Sequence, residues 1–268
     1  MKNIQAIVTN LKKKGISSNE NWLSSDEISK IKKIVLKLKK SKGDKRSHLP
    51  INNLSIVLKV LKLQFIDIFF GLYLKKLSKK LRLKKISNDF FEGESELVNI
   101  DFYLSKKSEM PVLDWHVDKA YSGKKEVKDL VRADDFGLKF IFYLTDVTDD
   151  NGCLKYVPSS NKIAYALKKA IYNKEINYSP YWKVNDFQKL VNQNKEKIRK
   201  YIDQKKIDEF FEKLKILKDK KNIKRFSHEL EKGGAVIFDE SGIHKGTEPR
   251  YNDRLIFRYI YKKKLKHA

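Results

Sequence analysis

Trp115-His116-Val117-Asp118 holds the two side chains of this sequence best suited to metal chemistry. The run 112–118 reads as a strand, and on a strand the side chains at i and i+2 leave the same face. His116 and Asp118 are therefore expected to project together. A neutral imidazole and a carboxylate on one side, completed by a third ligand from elsewhere, make the 2-His-1-carboxylate face that binds non-haem Fe(II) and leaves coordination positions open. A His-x-Asp alone is a weak motif, and its plainer reading is a surface histidine beside a solvated aspartate.

Of the five histidines, four besides His116 compete for the remaining place. His48 lies in a loop, His267 at the chain end and His228 in a helical stretch. His244 follows a strand-and-turn unit, G-G-A-V-I-F-D-E-S-G-I-H, and is the best third ligand by position. Ten residues later Arg254 opens the strand R-L-I-F-R-Y-I-Y. A guanidinium clasps a carboxylate with two parallel hydrogen bonds. Such a partner is what a cosubstrate needs if it chelates iron through a 2-oxo acid and extends a second carboxylate away. Arg250 is the rival, less well anchored in the turn after Pro249. The plainer reading of Arg254 is a strand-end surface arginine.

The elements that must hold these residues show in the hydrophobic period. Residues 4–14 suit a short helix ended by Gly15. Ser24 followed by Glu27 is a capping-box pattern, and Ile28, Ile31, Val35 and Leu38 continue it as an amphipathic helix over 25–40. A polar loop is expected over 39–48. The run 61–74, interrupted by Lys62, Gln64 and Asp67, reads as a buried helix. After Gly93 the period changes. Strands are predicted at 97–104, 112–118, 137–144, 153–157, 234–239 and 254–261, with a polar loop at 119–135. A helical insertion at 162–232, broken at Pro180, separates two groups of strands. Because the sheet is discontinuous in sequence, one domain spanning 1–268 is expected, with N-terminal helices over about 1–92.

The 268 residues carry a formal net charge of +25 and are 41% hydrophobic, a composition that supports a real core. No apolar run is long enough to span a bilayer. The N-terminus lacks the pattern of a secretory signal, and the single cysteine, Cys153, fits a reducing compartment. A cytoplasmic protein is expected. The charge attracts anions, but lysines are scattered along the whole chain and no nucleic-acid-binding motif is present. Nucleic acid is not expected as a partner.

The ordered set of motifs resembles the phytanoyl-CoA dioxygenase family of Fe(II)- and 2-oxoglutarate-dependent oxygenases. Trp115-His116-Val117-Asp118 matches its Trp-His-x-Asp. The stretches 144–147, 151–154 and 157–160 resemble its strand, turn and Pro-Gly-Ser-His segment, and Gly234 to Phe238, His244 and Arg254 match its distal half. Ser159 and Asn161 depart from the usual Gly and His, and Gly246 stands where Ser or Thr is common, so one hydrogen bond to the 2-oxoglutarate carboxylate is either missing or supplied by Thr247. The resemblance implies a double-stranded β-helix, a jelly-roll relative of the cupins, with flanking helices (mainly β, α+β). It implies His116, Asp118 and His244 as ligands of Fe(II), and Arg254 on 2-oxoglutarate. It further implies hydroxylation of an unactivated C–H bond with O2, releasing succinate and CO2. On that fold Lys139, Ile141 and Tyr143, and Arg254, Ile256 and Arg258, should face inward, making Lys139 a second cation for cosubstrate or substrate. The insertion 162–232 should border the substrate entrance, and the inward cations suit an anionic small molecule. Three other readings stay open at this stage: another outcome on the same centre, such as desaturation or ring formation; a catalytically silent β-helix binding module; and a basic nucleic-acid-binding protein.

Overall fold

The computed structural model describes residues 3–42, 47–49, 56–57, 60–61, 65–108, 113–118, 137–219 and 221–264. Helix α1 (Ile4–Lys14) stops at Gly15, whose φ of +79° lets its N–H donate to the Leu11 carbonyl; a side chain there resists that conformation. Strand β1 (Ile16–Asn19) follows. Ser24 and Glu27 form the reciprocal cap, Glu27 N–H donating to Ser24 Oγ at 3.2 Å and Ser24 N–H to Glu27 Oε2 at 2.9 Å, and open α2 (Ser25–Lys42). Then come β2 (Ser47–His48), α3 (Phe65–Lys80), α4 (Leu83–Phe91), β3 (Ser95–Ser105), β4 (Gly137–Tyr143) and β5 (Leu154–Tyr156). Helices α5 (Ser160–Tyr172), α6 (Val184–Gln193), α7 (Lys195–Ile198) and α8 (Gln204–Ile216) lead to β6 (Ser227–His228), β7 (Ala235–Asp239), β8 (His244–Gly246) and β9 (Arg254–Lys263).

The strands form a six-stranded antiparallel sheet, β1-β7-β4-β9-β3-β2, and a three-stranded one, β6-β5-β8. Together they make a double-stranded β-helix, the jelly-roll arrangement with helices outside. Both faces of the larger sheet are covered, and the period of two divides them. Leu138, Phe140 and Phe142 of β4, with Leu255, Phe257, Tyr259 and Tyr261 of β9, pack under α1–α4. Lys139, Ile141 and Tyr143, with Arg254, Ile256, Arg258, Ile260 and Lys262, face the interior cavity. The register places Ile141 opposite Arg258 and Lys139 opposite Ile260. A bulge between Leu97 and Asn99 turns both Val98 and Asn99 toward that cavity, as an extra residue re-aims a strand.

Helices α5–α8 have a core of their own, built on Leu167, Phe187, Val191, Ile207 and Phe210, and joined by Val117, Val157 and Ile243 from the site side. Val117 therefore points into the insertion while its neighbours His116 and Asp118 point the other way.

Several expectations are corrected. The run 112–118 is not a regular strand: within its described part, 113–118, His116 alone is bridged, to Lys183 and to His244. The segment is held from both sides, and one residue suffices to set its facing. The expected polar loop at 39–48 is helical as far as Lys42 and returns as β2. The insertion is not wholly helical, because Ser227–His228 adds a strand beside β5. The helix expected to be buried over 61–74 shows Leu61, Phe65 and Phe69 to solvent and buries Ile68, Phe70 and Leu74. The loop predicted at 119–135 and His267 lie outside the described residues.

Candidate metal and cosubstrate site

His116 and His244 sit directly opposite each other. His116 N–H donates to the His244 carbonyl at 3.0 Å and His244 N–H to the His116 carbonyl at 2.9 Å. Opposed residues of such an antiparallel pair share a face, and the two rings lie 4.4 Å apart between centroids. Asp118 N–H donates to the Glu240 carbonyl at 3.1 Å, which brings the carboxylate back to the same spot. Its Oδ1 is 3.9 Å from His116 Nε2 and its Oδ2 is 3.2 Å from His244 Nε2. One ligand atom from each of the three residues lies within 4.8 Å of the others.

The tautomers follow from the partners. His116 Nδ1 is 2.7 Å from the Asp114 carbonyl and His244 Nδ1 is 2.9 Å from the Gly242 carbonyl. A carbonyl only accepts, so each Nδ1 carries the hydrogen and each Nε2 presents its lone pair to the centre. Burial, with His244 beside it, lowers the His116 pKa to about 4, so the ring is neutral at physiological pH. Burial pushes the Asp118 carboxyl up, but His244 and Lys139 outweigh it and hold the group well below the usual carboxylate range. Two imidazoles and one carboxylate, the three metal-binding side chains of this cluster among the described residues, fit a divalent iron with open positions.

Lys139 does not point into free space. Its ammonium contacts Asp118 and lies 3.7 Å from Glu240. Arg254 is the opposite case. It is largely buried, with Nη1 donating to the Gly152 carbonyl and Nη2 to Ser105 Oγ, both at 3.0 Å. Its Nε is buried without a partner, and no carboxylate pairs with it among the described residues. Burial lowers its pKa, since removing a cation from water disfavours the charged form. A buried guanidinium lacking an anion fits the distal carboxylate of 2-oxoglutarate. Two glycines make room for it: a Cβ on Gly152 would fall 2.9 Å from Arg254 Cδ, and one on Gly246 would fall 3.4 Å from Nη1.

A cavity of about 730 Å³ joins the three ligands to Arg254. A second, of about 490 Å³, meets it at Leu113 and His116 and is lined by Trp115, Trp182, Val184 and Leu214. The insertion helices α6 and α8 thus border the site. Arg258 does reach the cavity, but Asp101 holds it at 2.7 Å through Nε, which corrects its reading as an unpaired inward cation. Thr247 does not substitute for the Ser or Thr missing at Gly246, because its hydroxyl donates to the Cys153 carbonyl at 3.2 Å and it is absent from the cavity wall. Arg250 is exposed and near Glu248 at 3.9 Å. His228 lies elsewhere, its Nδ1 2.5 Å from Ser18 Oγ. Sequence reasoning missed Glu240 and Asp101. Alternation past Phe238 could have placed Glu240 inward; nothing local marks Asp101.

No curated protein matches the chain. Among solved structures it shares its fold with the non-heme alpha ketoglutarate dependent carbocyclase SnoK from nogalamycin biosynthesis, at 12% identity over 97% of this chain and 83% of that one, TM-score 0.55. EvdO2 from Micromonospora carbonacea var. aurantiaca, complexed with 2-oxoglutarate, aligns at 14% identity over 100% and 93%, TM-score 0.55. EctD from S. alaskensis with bound Fe aligns at 12% over 98% and 77%, TM-score 0.56. The sequence profile of phytanoyl-CoA dioxygenase matches residues 29–252. With that match across most of its length, and with a His-Asp-His cluster fit for iron, the chain belongs to the phytanoyl-CoA dioxygenase family, as a 2-oxoglutarate-dependent dioxygenase.

Proposed function

We propose that the protein hydroxylates an unactivated C–H bond of a small anionic molecule, converting O2 and 2-oxoglutarate to the new hydroxyl, succinate and CO2. The observation that carries this reading is the convergence of His116, Asp118 and His244 in the same cavity as a buried Arg254 that has no anion of its own. Iron(II), when bound, supplies the oxidising centre. The chain supplies the rest. The Nε2 atoms of His116 and His244 and the Asp118 carboxylate would hold the ion on one side. Arg254 would orient 2-oxoglutarate through the carboxylate remote from the metal, with Nε and Nη donating. Lys139 and Glu240 keep Asp118 in place; Lys139 also remains within the cavity as the nearest further cation. The apolar walls, Ile141, Ile256 and Phe238, limit water at the reacting centre.

The charge of the cavity lining favours an anionic substrate. Lys139, Arg254, Arg258 and Lys262 line it with Asp118 and Glu240, while Asp101 stands behind Arg258. The iron and the cosubstrate dianion cancel each other, leaving one net positive charge. Lys262 forms no ion pair among the described residues and is the cation best placed to meet a substrate anion. The single cysteine, Cys153, is free and buried, which supports a cytoplasmic location. The test is succinate release from 2-oxoglutarate, with Fe(II), across a panel of small carboxylates, phosphates and neutral controls. Coupled product from an anionic member supports the reading. Turnover confined to neutral compounds removes the charge argument, and no succinate under any condition removes the enzymatic one.

A further inference from the structure

Helix α3 has two unlike faces. Phe70, Leu74 and Leu77 enter the core beneath the larger sheet. Phe65, Ile66, Phe69 and Leu72 are exposed, Phe69 by 70%, and Val57 and Leu61 (74%) in the preceding helical residues are exposed as well. Within the helix, Phe65, Phe69 and Leu72 are spaced four and three residues apart and so share one face. A soluble monomer rarely leaves so many large apolar groups together in water. The same outward face continues with the exposed Lys76 and Lys79, while Lys80 beside them pairs with Glu27 at 2.7 Å. The face is therefore apolar at its N-terminal end and cationic at its C-terminal end.

We infer that this face docks on an anionic bilayer surface, with Phe65, Phe69 and Leu72 at the acyl boundary and Lys76 and Lys79 among the headgroups. Charge selects this occupant. In a pair of chains the net charge of +25 on each copy opposes the approach. A nucleic acid would use the lysines but not the phenylalanines. An anionic membrane uses both. No helix among the described residues is long and apolar enough to cross a bilayer, so the helix lies on the surface. The inference does not depend on the reaction assigned above.

The experiment is flotation of the full chain with phosphatidylcholine vesicles and with vesicles containing phosphatidylserine. Binding is expected only to the anionic vesicles and should fall as salt is raised. Phe65→Ser with Phe69→Ser should weaken it on the order of tenfold, and each of Lys76→Glu and Lys79→Glu about fivefold or more. The altered side chains are exposed, so unchanged thermal unfolding and Fe(II) binding should confirm that the variants fold. Absence of binding to anionic vesicles overturns the inference. So does binding unaffected by both salt and the phenylalanine changes. Concentration-dependent dimerisation that Phe69→Ser abolishes, without vesicle binding, would assign the face to a second copy and overturn it equally.

Discussion

The guanidinium of Arg254 is packed between the Gly152 carbonyl and Ser105, with Nε unpartnered and no carboxylate beside it among the described residues. Holding a charge in that state costs several kcal/mol, and a bound dicarboxylate offsets the cost. Arg254→Ala is expected to raise the 2-oxoglutarate requirement on the order of a hundredfold while leaving Fe(II) affinity nearly unchanged. Arg254→Lys should recover only part, because an ammonium cannot make the paired contact. Measured 2-oxoglutarate KM against Fe(II) titration separates the two effects. Lys139→Met should do the reverse, shifting Fe(II) affinity through Asp118 and leaving the 2-oxoglutarate requirement largely unchanged. A rise as large as that of Arg254→Ala would return Lys139 to the cosubstrate. Residue types and spacing pointed to His116, Asp118, His244 and Arg254, four residues that the fold brings to one cavity. They did not show that Lys139 is engaged by Asp118 and Glu240, because that depends on how near β4 comes to the turn after β7.

Elements decide whether those residues can act. Gly152 has φ of +81° and touches the Arg254 side chain. Gly152→Ala should cost about 1 kcal/mol for the backbone alone and should also displace Arg254. A raised 2-oxoglutarate KM with unaltered iron stoichiometry is the expected readout. At the end of β7, Asp239 is fully buried and receives hydrogen bonds from Asn161, Tyr165 and Ser241 N–H. Burial pushes its pKa up to about 6, against the lowering by these donors. A carboxyl raised on folding contributes stability that is full below its unfolded pKa and is lost as pH rises through the folded one. Stability should therefore decline from about pH 4 to beyond pH 6, by about 3 kcal/mol. Asp239→Asn should flatten that decline in thermal unfolding measured across the same range; Asn161 Oδ1, buried without a partner, can accept from the new amide. The capping box at Ser24 was legible because all its atoms lie within one turn. The 112–118 segment was misread as a strand because its alternation is imposed by His244 on one side and Trp182 and Lys183 on the other, partners distant in sequence.

At the scale of the molecule, the two sheets bring the ends of the sequence motifs into one cavity, and α1–α4 and the insertion close it from outside. The fold class was legible from strands flanking a helical insertion together with the order of the motifs. The cavity's charge balance was not, since the Asp101–Arg258 pair joins positions 157 residues apart and no local pattern announces it. Lys262→Glu should raise the KM for an anionic substrate with 2-oxoglutarate use intact, and an unchanged KM would remove Lys262 from recognition. The central claim is that three residues hold one iron and that Arg254 completes the cosubstrate site. It is tested most directly by anaerobic titration of the intact protein with Fe(II) and 2-oxoglutarate, following metal content and the visible absorption of an iron–2-oxo acid chelate. One Fe(II) per chain is expected, with the chelate band appearing on adding 2-oxoglutarate, both lost in His116→Ala and only the band weakened in Arg254→Ala. Stoichiometric iron and an undiminished band in His116→Ala would contradict the account.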